Sequence, residues 1–121
     1  MIESIISMEL PAGGHLAVRR NRICPKQETK QCRRISLVSG IHGDELEGQY
    51  ICYETARRVK EHPEYLKGIV DIYPALNPLG IDMASRTVPR LDMDMNRMFP
   101  GDASGDMMER ITAAVVDSII G

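Results

Sequence analysis

The sequence lacks the marks of several broad classes of protein. No apolar run approaches the ~20 residues that a membrane-crossing helix needs, so no membrane partner is expected. Met1 to Ile5 do not combine a basic segment with a long apolar one, so no secretion signal is visible. Neither sign of charge dominates. Fifteen basic residues stand against 17 acidic ones, a formal charge of −2, and no global field draws nucleic acid or a membrane surface. The three cysteines, Cys24, Cys32 and Cys52, are an odd number without CxxC spacing. They read as free thiols in a reducing, cytoplasmic setting, not as a disulfide frame or zinc knuckle. Repeats and low-complexity segments are also missing. What is present is a chain of 121 residues, 43% hydrophobic, which suits one globular domain or part of one.

Along the chain, strand-like and helix-like runs alternate. Ile5 to Leu10 and His15 to Cys24 read as short early strands joined through Pro11-Ala12-Gly13-Gly14. Residues 25 to 34 read as an exposed loop, and Ile35 to Ser39 as a strand buried on both sides. A helix is expected from about Glu45 to Glu61, with Ile51, Cys52, Thr55, Ala56 and Val59 as its apolar stripe and Pro63 just past its end. Gly68 opens a strand from Ile69 to Tyr73. Pro74 to Gly105 is loop-rich, and a last helix runs from about Asp106 to Ile120 with Met108, Ile111, Val115 and Ile119 on one face. That order predicts an α/β fold with helices packed on a mixed, partly parallel sheet. The chain stops where such a fold would enter its next strand, so it is expected to be the front part of a larger domain. The long loop is more than a connection of ordinary length and points to function.

The stretch "SGIHGDELEG", residues 39 to 48, sets His42 and Glu45 three residues apart after the strand. Open α/β sheets place their sites at such strand-to-helix turns. An imidazole and a carboxylate at this spacing can both ligate one zinc ion, leaving it short of a third protein ligand. The plainer reading is that Asp44 and Glu45 favour the start of a helix and His42 is a loop residue. The tetrapeptide alone does not decide between them.

A second constellation lies in "PALNPLGIDMASRTVPRLDMDMNRMFPG", residues 74 to 101. Asp92, Asp94 and Asn96 alternate with Leu91, Met93 and Met95, so an extended segment would present the polar groups on one side. A calcium loop of the form DxDxN is excluded, because Arg97 holds the place of the turn glycine and Ala103 that of the terminal glutamate. A solvated edge with a methionine-lined underside is the plain alternative. Against it, Arg86, Arg90 and Arg97 supply planar forks suited to a carboxylate.

Taken together, "GIHGDE", "NPLG", the arginine of "RTVP" and "DMDMNRMFPG" resemble the succinylglutamate desuccinylase and aspartoacylase family, a branch of the zinc carboxypeptidase superfamily. The likeness runs from about Ser39 to Gly101. It implies a zinc-dependent hydrolase that cleaves the amide bond of an N-acyl amino acid such as N-succinylglutamate or N-acetylaspartate. It further implies that His42 and Glu45 ligate zinc, that Arg86 polarises the scissile carbonyl, and that Asn96 and Arg97 grip the substrate carboxylate. Asp94 would orient an arginine or a ligand from behind. A histidine ligand and a catalytic glutamate that the family uses have no match here: His15 precedes the motif and His62 sits at the far end of the helix. Residues 1–121 are therefore expected to be the N-terminal portion of a deacylase or carboxypeptidase-like catalytic domain, carrying part of its site. An uncovered sheet edge would follow, and with it self-association into a homo-oligomer.

Two rivals stay open on sequence. One is a metallocarboxypeptidase, which uses the same clamp on a peptide terminus. The other is a non-catalytic binding domain that has lost its metal. The basic stretch from Arg19 to Arg34 has no aromatic residue for stacking and no recognisable nucleic-acid module, so it reads as a solvated rim. The eight methionines read as gap-fillers, and Cys52 as core.

Overall fold

The computed structural model describes residues 1–121. Its centre is a four-stranded sheet in the order β1-β2-β4-β3, built from β1 (Ile2–Glu9), β2 (His15–Ile23), β3 (Arg34–Val38) and β4 (Ile69–Tyr73). β1 and β2 form an antiparallel hairpin closed by a 3-10 turn at Pro11–Gly13. β2 pairs antiparallel with β4, and β4 runs parallel to β3, with Arg34 opposite Ile69 and Val38 opposite Tyr73. The helix α1 (Glu47–Glu61) crosses over between the two parallel strands, as parallel neighbours require. The fold is the mixed, partly parallel α/β arrangement expected from the order of elements.

β4 is central and covered on both faces, which is why its sequence is apolar almost throughout. Val70 and Ile72 pack with Cys52 of α1 on one face. Tyr73 faces the other layer, where it joins Leu16, Val18 and, from α3 (Met107–Ile120), Met108, Ile111 and Val115. α3 begins at a reciprocal cap. The Asp106 carboxylate accepts from the Glu109 backbone N–H at 2.9 Å, and the Glu109 carboxylate accepts from the Asp106 N–H at 3.1 Å. Its other end rests on the sheet, where the Tyr73 hydroxyl meets the Ser118 hydroxyl at 2.9 Å and the Arg34 guanidinium donates to the Ile119 carbonyl.

Asp71, between these apolar neighbours, is fully buried. The Arg22 guanidinium donates to both of its oxygens at 2.7 Å, and Arg34 and Arg20 stand at 3.7 and 4.0 Å. The bidentate bond to Asp71 pushes the Arg22 guanidinium up from its ordinary value.

Several readings of the chain change, among them the first strand, which runs Ile2–Glu9 rather than from Ile5 to Leu10. β3 is an edge strand, with Ile35 57% and Val38 41% exposed, so it is not buried on both sides. An apolar run cannot say which side of its strand finds a neighbour. Ile51 lies on the outer surface of α1, not on its apolar stripe, and is 59% exposed. The helix starts at Glu47 rather than Glu45, leaving Glu45 in the preceding turn. The long loop contains a short helix, α2 (Pro78–Met83), capped by Asn77. The three cysteines are unpaired. No helix is long and apolar enough to cross a membrane.

Candidate active site

The parallel pair β3–β4 positions the first half of the site. Beyond Val38 and Tyr73 the two strands leave the sheet side by side. The Ser39 hydroxyl donates to the Pro74 carbonyl at 2.8 Å, and the Asn77 N–H donates to the Gly40 carbonyl at 2.8 Å. Gly40 turns here with φ of 74°, and a Cβ on it would stand 2.8 Å from the Pro74 oxygen. Only glycine meets both demands. The turn delivers His42, which is 8% exposed, at the carboxyl edge of the sheet.

Two carboxylates flank the His42 ring. Its Nε2 lies 2.9 Å from Asp94 Oδ1, and its Nδ1 lies 3.3 Å from Glu45 Oε2. Glu45 can turn toward the ring because it precedes α1, in a turn closed by its own N–H on the His42 carbonyl at 3.3 Å. Asp94 arrives from the other layer. It caps a 3-10 turn at Met95–Arg97, where its Oδ1 also accepts from the Asn96 N–H at 3.0 Å, and Met95 roots that turn in the core with no exposed surface. The hydrogen bond from His42 is the main cause that holds the Asp94 carboxyl below the usual carboxylate range, aided by the Asn96 N–H and the charge of Arg86.

Arg86 completes the cluster. Its guanidinium stands 3.8 Å from Glu45 Oε1 and 4.0 Å from Asp94 Oδ2, with the side chain 55% exposed. At these distances the arginine is held by charge rather than by hydrogen bonds, and it can swing toward a ligand without breaking one. His42, Glu45, Asp94 and Arg86 thus converge from three segments of the chain.

Asn96 and Arg97 do not enter this cluster. Both are exposed, and the Arg97 guanidinium has no ion-pair partner. The extended run expected over Asp92, Asp94 and Asn96 is instead a tight loop. Arg90 and Asp92 take positive φ of 71° and 50°, Val88 bridges to Met93, and only Asp94 turns inward. Arg90 donates to the Pro11 carbonyl at 3.1 Å, away from the cluster. His15 meets the Ser7 hydroxyl at 2.9 Å, and His62 stands beside Glu64 and Tyr65.

The donors fit zinc as far as they go. Asp94 takes up Nε2, which leaves Nδ1 and the Glu45 carboxylate presenting one nitrogen and one oxygen together, with the ring orientation locked from behind. No group of three or more His, Cys, Asp or Glu side chains in the chain is arranged to hold a metal.

Comparison with known proteins agrees with this frame. Residues 31–119 match the succinylglutamate desuccinylase/aspartoacylase catalytic domain, and the chain belongs to that family. It is 36% identical over 75 residues to an N-alpha-acetyl-L-2,4-diaminobutyric acid deacetylase of Halomonas elongata, covering 62% of this chain and 21% of that protein. Among solved structures, a succinylglutamate desuccinylase/aspartoacylase from Rhodobacter sphaeroides superposes with a TM-score of 0.72 at 31% identity, over 89% of this chain and 31% of that one. The product-bound ectoine utilization protein EutE (DoeB) from Ruegeria pomeroyi gives 0.76 at 26% identity, over 95% and 34%. The chain spans about a fifth to a third of the length of these relatives. They place it in a family of deacylating hydrolases.

Sequence reasoning passed over Asn77. Its place before a proline marks it as a helix cap, but its further bonds reach loops distant in sequence.

Proposed function

We propose that the protein carrying this chain is a zinc-dependent amidohydrolase that removes the acyl group from an N-acyl amino acid. The observation that carries the reading is the His42 ring fixed between Asp94 and Glu45, with the exposed guanidinium of Arg86 beside them. His42 Nδ1 and the Glu45 carboxylate would hold the ion. When bound, zinc would supply a Lewis acid for the amide carbonyl and lower the pKa of a water.

The chain's own residues do the rest. Asp94, 2.9 Å from His42 Nε2, would hold the ring in place so that the Nδ1 lone pair is free for the ion. Arg86 is drawn by negative charge and carries its five N–H donors on an exposed arm, so it would meet the carbonyl oxygen as charge builds there. Asn96 and the unpaired fork of Arg97 would take the free carboxylate of the substrate and set the amide beside His42 and Glu45. The partner in this reading is a small molecule. N-acetyl-2,4-diaminobutyrate, N-acetylaspartate and N-succinylglutamate are the substrates to try first.

Steady-state kinetics on these compounds and on a matching carboxamide test the roles. Activity should vanish on chelation and return with zinc. Arg97→Ala should raise KM and lose most of the discrimination against the carboxamide, because its contact exists before and during reaction. Arg86→Ala should lower kcat by about a hundredfold or more. Activity that survives removal of zinc would overturn the metal assignment, and an Arg97→Ala variant that still rejects the carboxamide as wild type does would overturn the clamp. Cleavage of peptide C-termini in place of N-acyl amino acids would move the reading to a carboxypeptidase.

A further inference from the structure

Asn77 is fully buried, and its side chain spends every hydrogen-bonding group it has. The carboxamide oxygen accepts from the Gly80 N–H at 2.9 Å and so caps α2. The carboxamide nitrogen donates to two carbonyls, Ile41 at 3.2 Å and Thr87 at 3.1 Å. Ile41 immediately precedes His42, and Thr87 immediately follows Arg86. Capping alone does not call for asparagine here. Aspartate caps as well but cannot donate, and serine has one donor where two are used.

The backbone around Asn77 reinforces the same junction. The Gly43 N–H donates to the Ser85 carbonyl at 2.8 Å, and the Ser85 N–H donates to the Gly80 carbonyl at 2.8 Å. A Cβ on Gly43 would stand 2.0 Å from the Gly80 carbonyl carbon, so the His42 loop lies directly on α2. We infer that Asn77 is a positioning residue that sets the His42 loop and the Arg86 loop at a fixed distance from one another. Its chemical consequence rests on the deacylase reading: Arg86 would be registered against His42 and Glu45 through Asn77 rather than through a direct bond. The weak contacts of Arg86 with Glu45 and Asp94, at 3.8 and 4.0 Å, do not supply that register themselves.

The test uses Asn77→Asp, which keeps the cap on Gly80 and removes both donors. Amide exchange of Gly43 and Ser85 should speed up about tenfold or more, while the Gly80 amide and the strands β2 and β4 stay within about twofold of wild type. With an N-acyl amino acid, kcat should fall about tenfold or more with KM within about threefold. A folded variant whose two loops exchange as in wild type overturns the inference, and so does a loss of protection spread evenly over the sheet. If Asn77→Asp does not fold, Asn77→Ser keeps a cap on Gly80 and one donor and should give the same pattern to a smaller degree, with unchanged loops again overturning the inference. A full-length protein carrying this chain that hydrolyses no N-acyl amino acid sinks the deacylase reading, while the exchange data still decide the role of Asn77.

Discussion

On the α3 side of the sheet Met8, Leu10, Leu16, Val18 and Tyr73 are buried together with Leu76, Val88 and Met95 from the long loop; on the α1 side only Val70 and Ile72 of the sheet and Cys52 of the helix are buried. The outer surface of α1 shows Tyr50, Ile51 and Tyr53, and the β3 edge shows Ile35 and Val38. Burial of apolar area is the main stabilising term, so the α3 face holds the molecule together. The site is divided along the same line. Asp94 and the Asn77 junction are rooted in the α3 layer through Met95, Val88 and Leu76, and His42 is fixed by contact with them. Glu45, Arg86, Asn96 and Arg97 stand outside that layer and are exposed. The chain preorganises the histidine and its backing carboxylate, and it leaves the side chains of Glu45, Arg86, Asn96 and Arg97 open to solvent.

Unequal substitution costs on the two sides are the strongest way to break this comparison. Ile111 is fully buried against the sheet, and Ile111→Ala should destabilise by about 2–5 kcal/mol through lost burial and the cavity left behind. Ile51→Ala on the exposed side of α1 should stay within about 0.5 kcal/mol. Urea unfolding measures both. Equal losses would mean that the α1 surface is as well covered as the α3 core. A smaller effect is expected from the ion cluster beneath α3. Asp71→Asn should cost about 2–3 kcal/mol, below the full penalty for breaking a buried pair because Arg22, Arg20 and Arg34 keep some solvent. The end of α3 near Ser118 and Ile119 should lose exchange protection first. A neutral result would remove the cluster from the account of that face.

The elements that carry a strong local period were readable in the sequence. α3, with its cap at Asp106 and its stripe of Met108, Ile111 and Val115, falls where the pattern places it, and β4 matches residue for residue. Failures occur where a neighbour decides. The apolar run of β3 does not reveal that residues 1–121 give it a neighbouring strand on one side alone, and the alternation of Asp92, Asp94 and Asn96 does not reveal that positive φ at Arg90 and Asp92 breaks the strand. At the site, spacing raised His42 with Glu45, and the family resemblance added Arg86, Asp94, Asn96 and Arg97; the structure draws the first four together and leaves Asn96 and Arg97 outside. The bonds of Asn77 to Ile41 and Thr87 span 36 and 10 residues, and no local signal announces them.

The smallest effect lies at the outer end of the α3 face, where β1 meets it. The Arg20 guanidinium pairs with Glu3 of β1 and donates to the Ser118 hydroxyl of α3 at 3.3 Å, so Glu3 steadies an arginine that touches the helix. The hydrogen bond from Arg20 is the main cause that holds the Glu3 carboxyl below its ordinary value. A carboxyl whose folded-state pKa is depressed binds protons more readily in the unfolded chain. Its contribution is therefore complete above the unfolded value of about 4.3 and is lost as pH falls through the folded value. Wild type should accordingly be more stable than Glu3→Gln at pH 7, and the gap between their urea midpoints should close as the pH drops from about 5 to 3. The exposed pairs of Glu54 with Arg57 on α1 are common to both proteins and cancel in the difference. A gap that stays constant through that range would show that Glu3 acts on the fold by its shape and not by its charge, and the edge of the α3 face would then owe nothing to this ion pair.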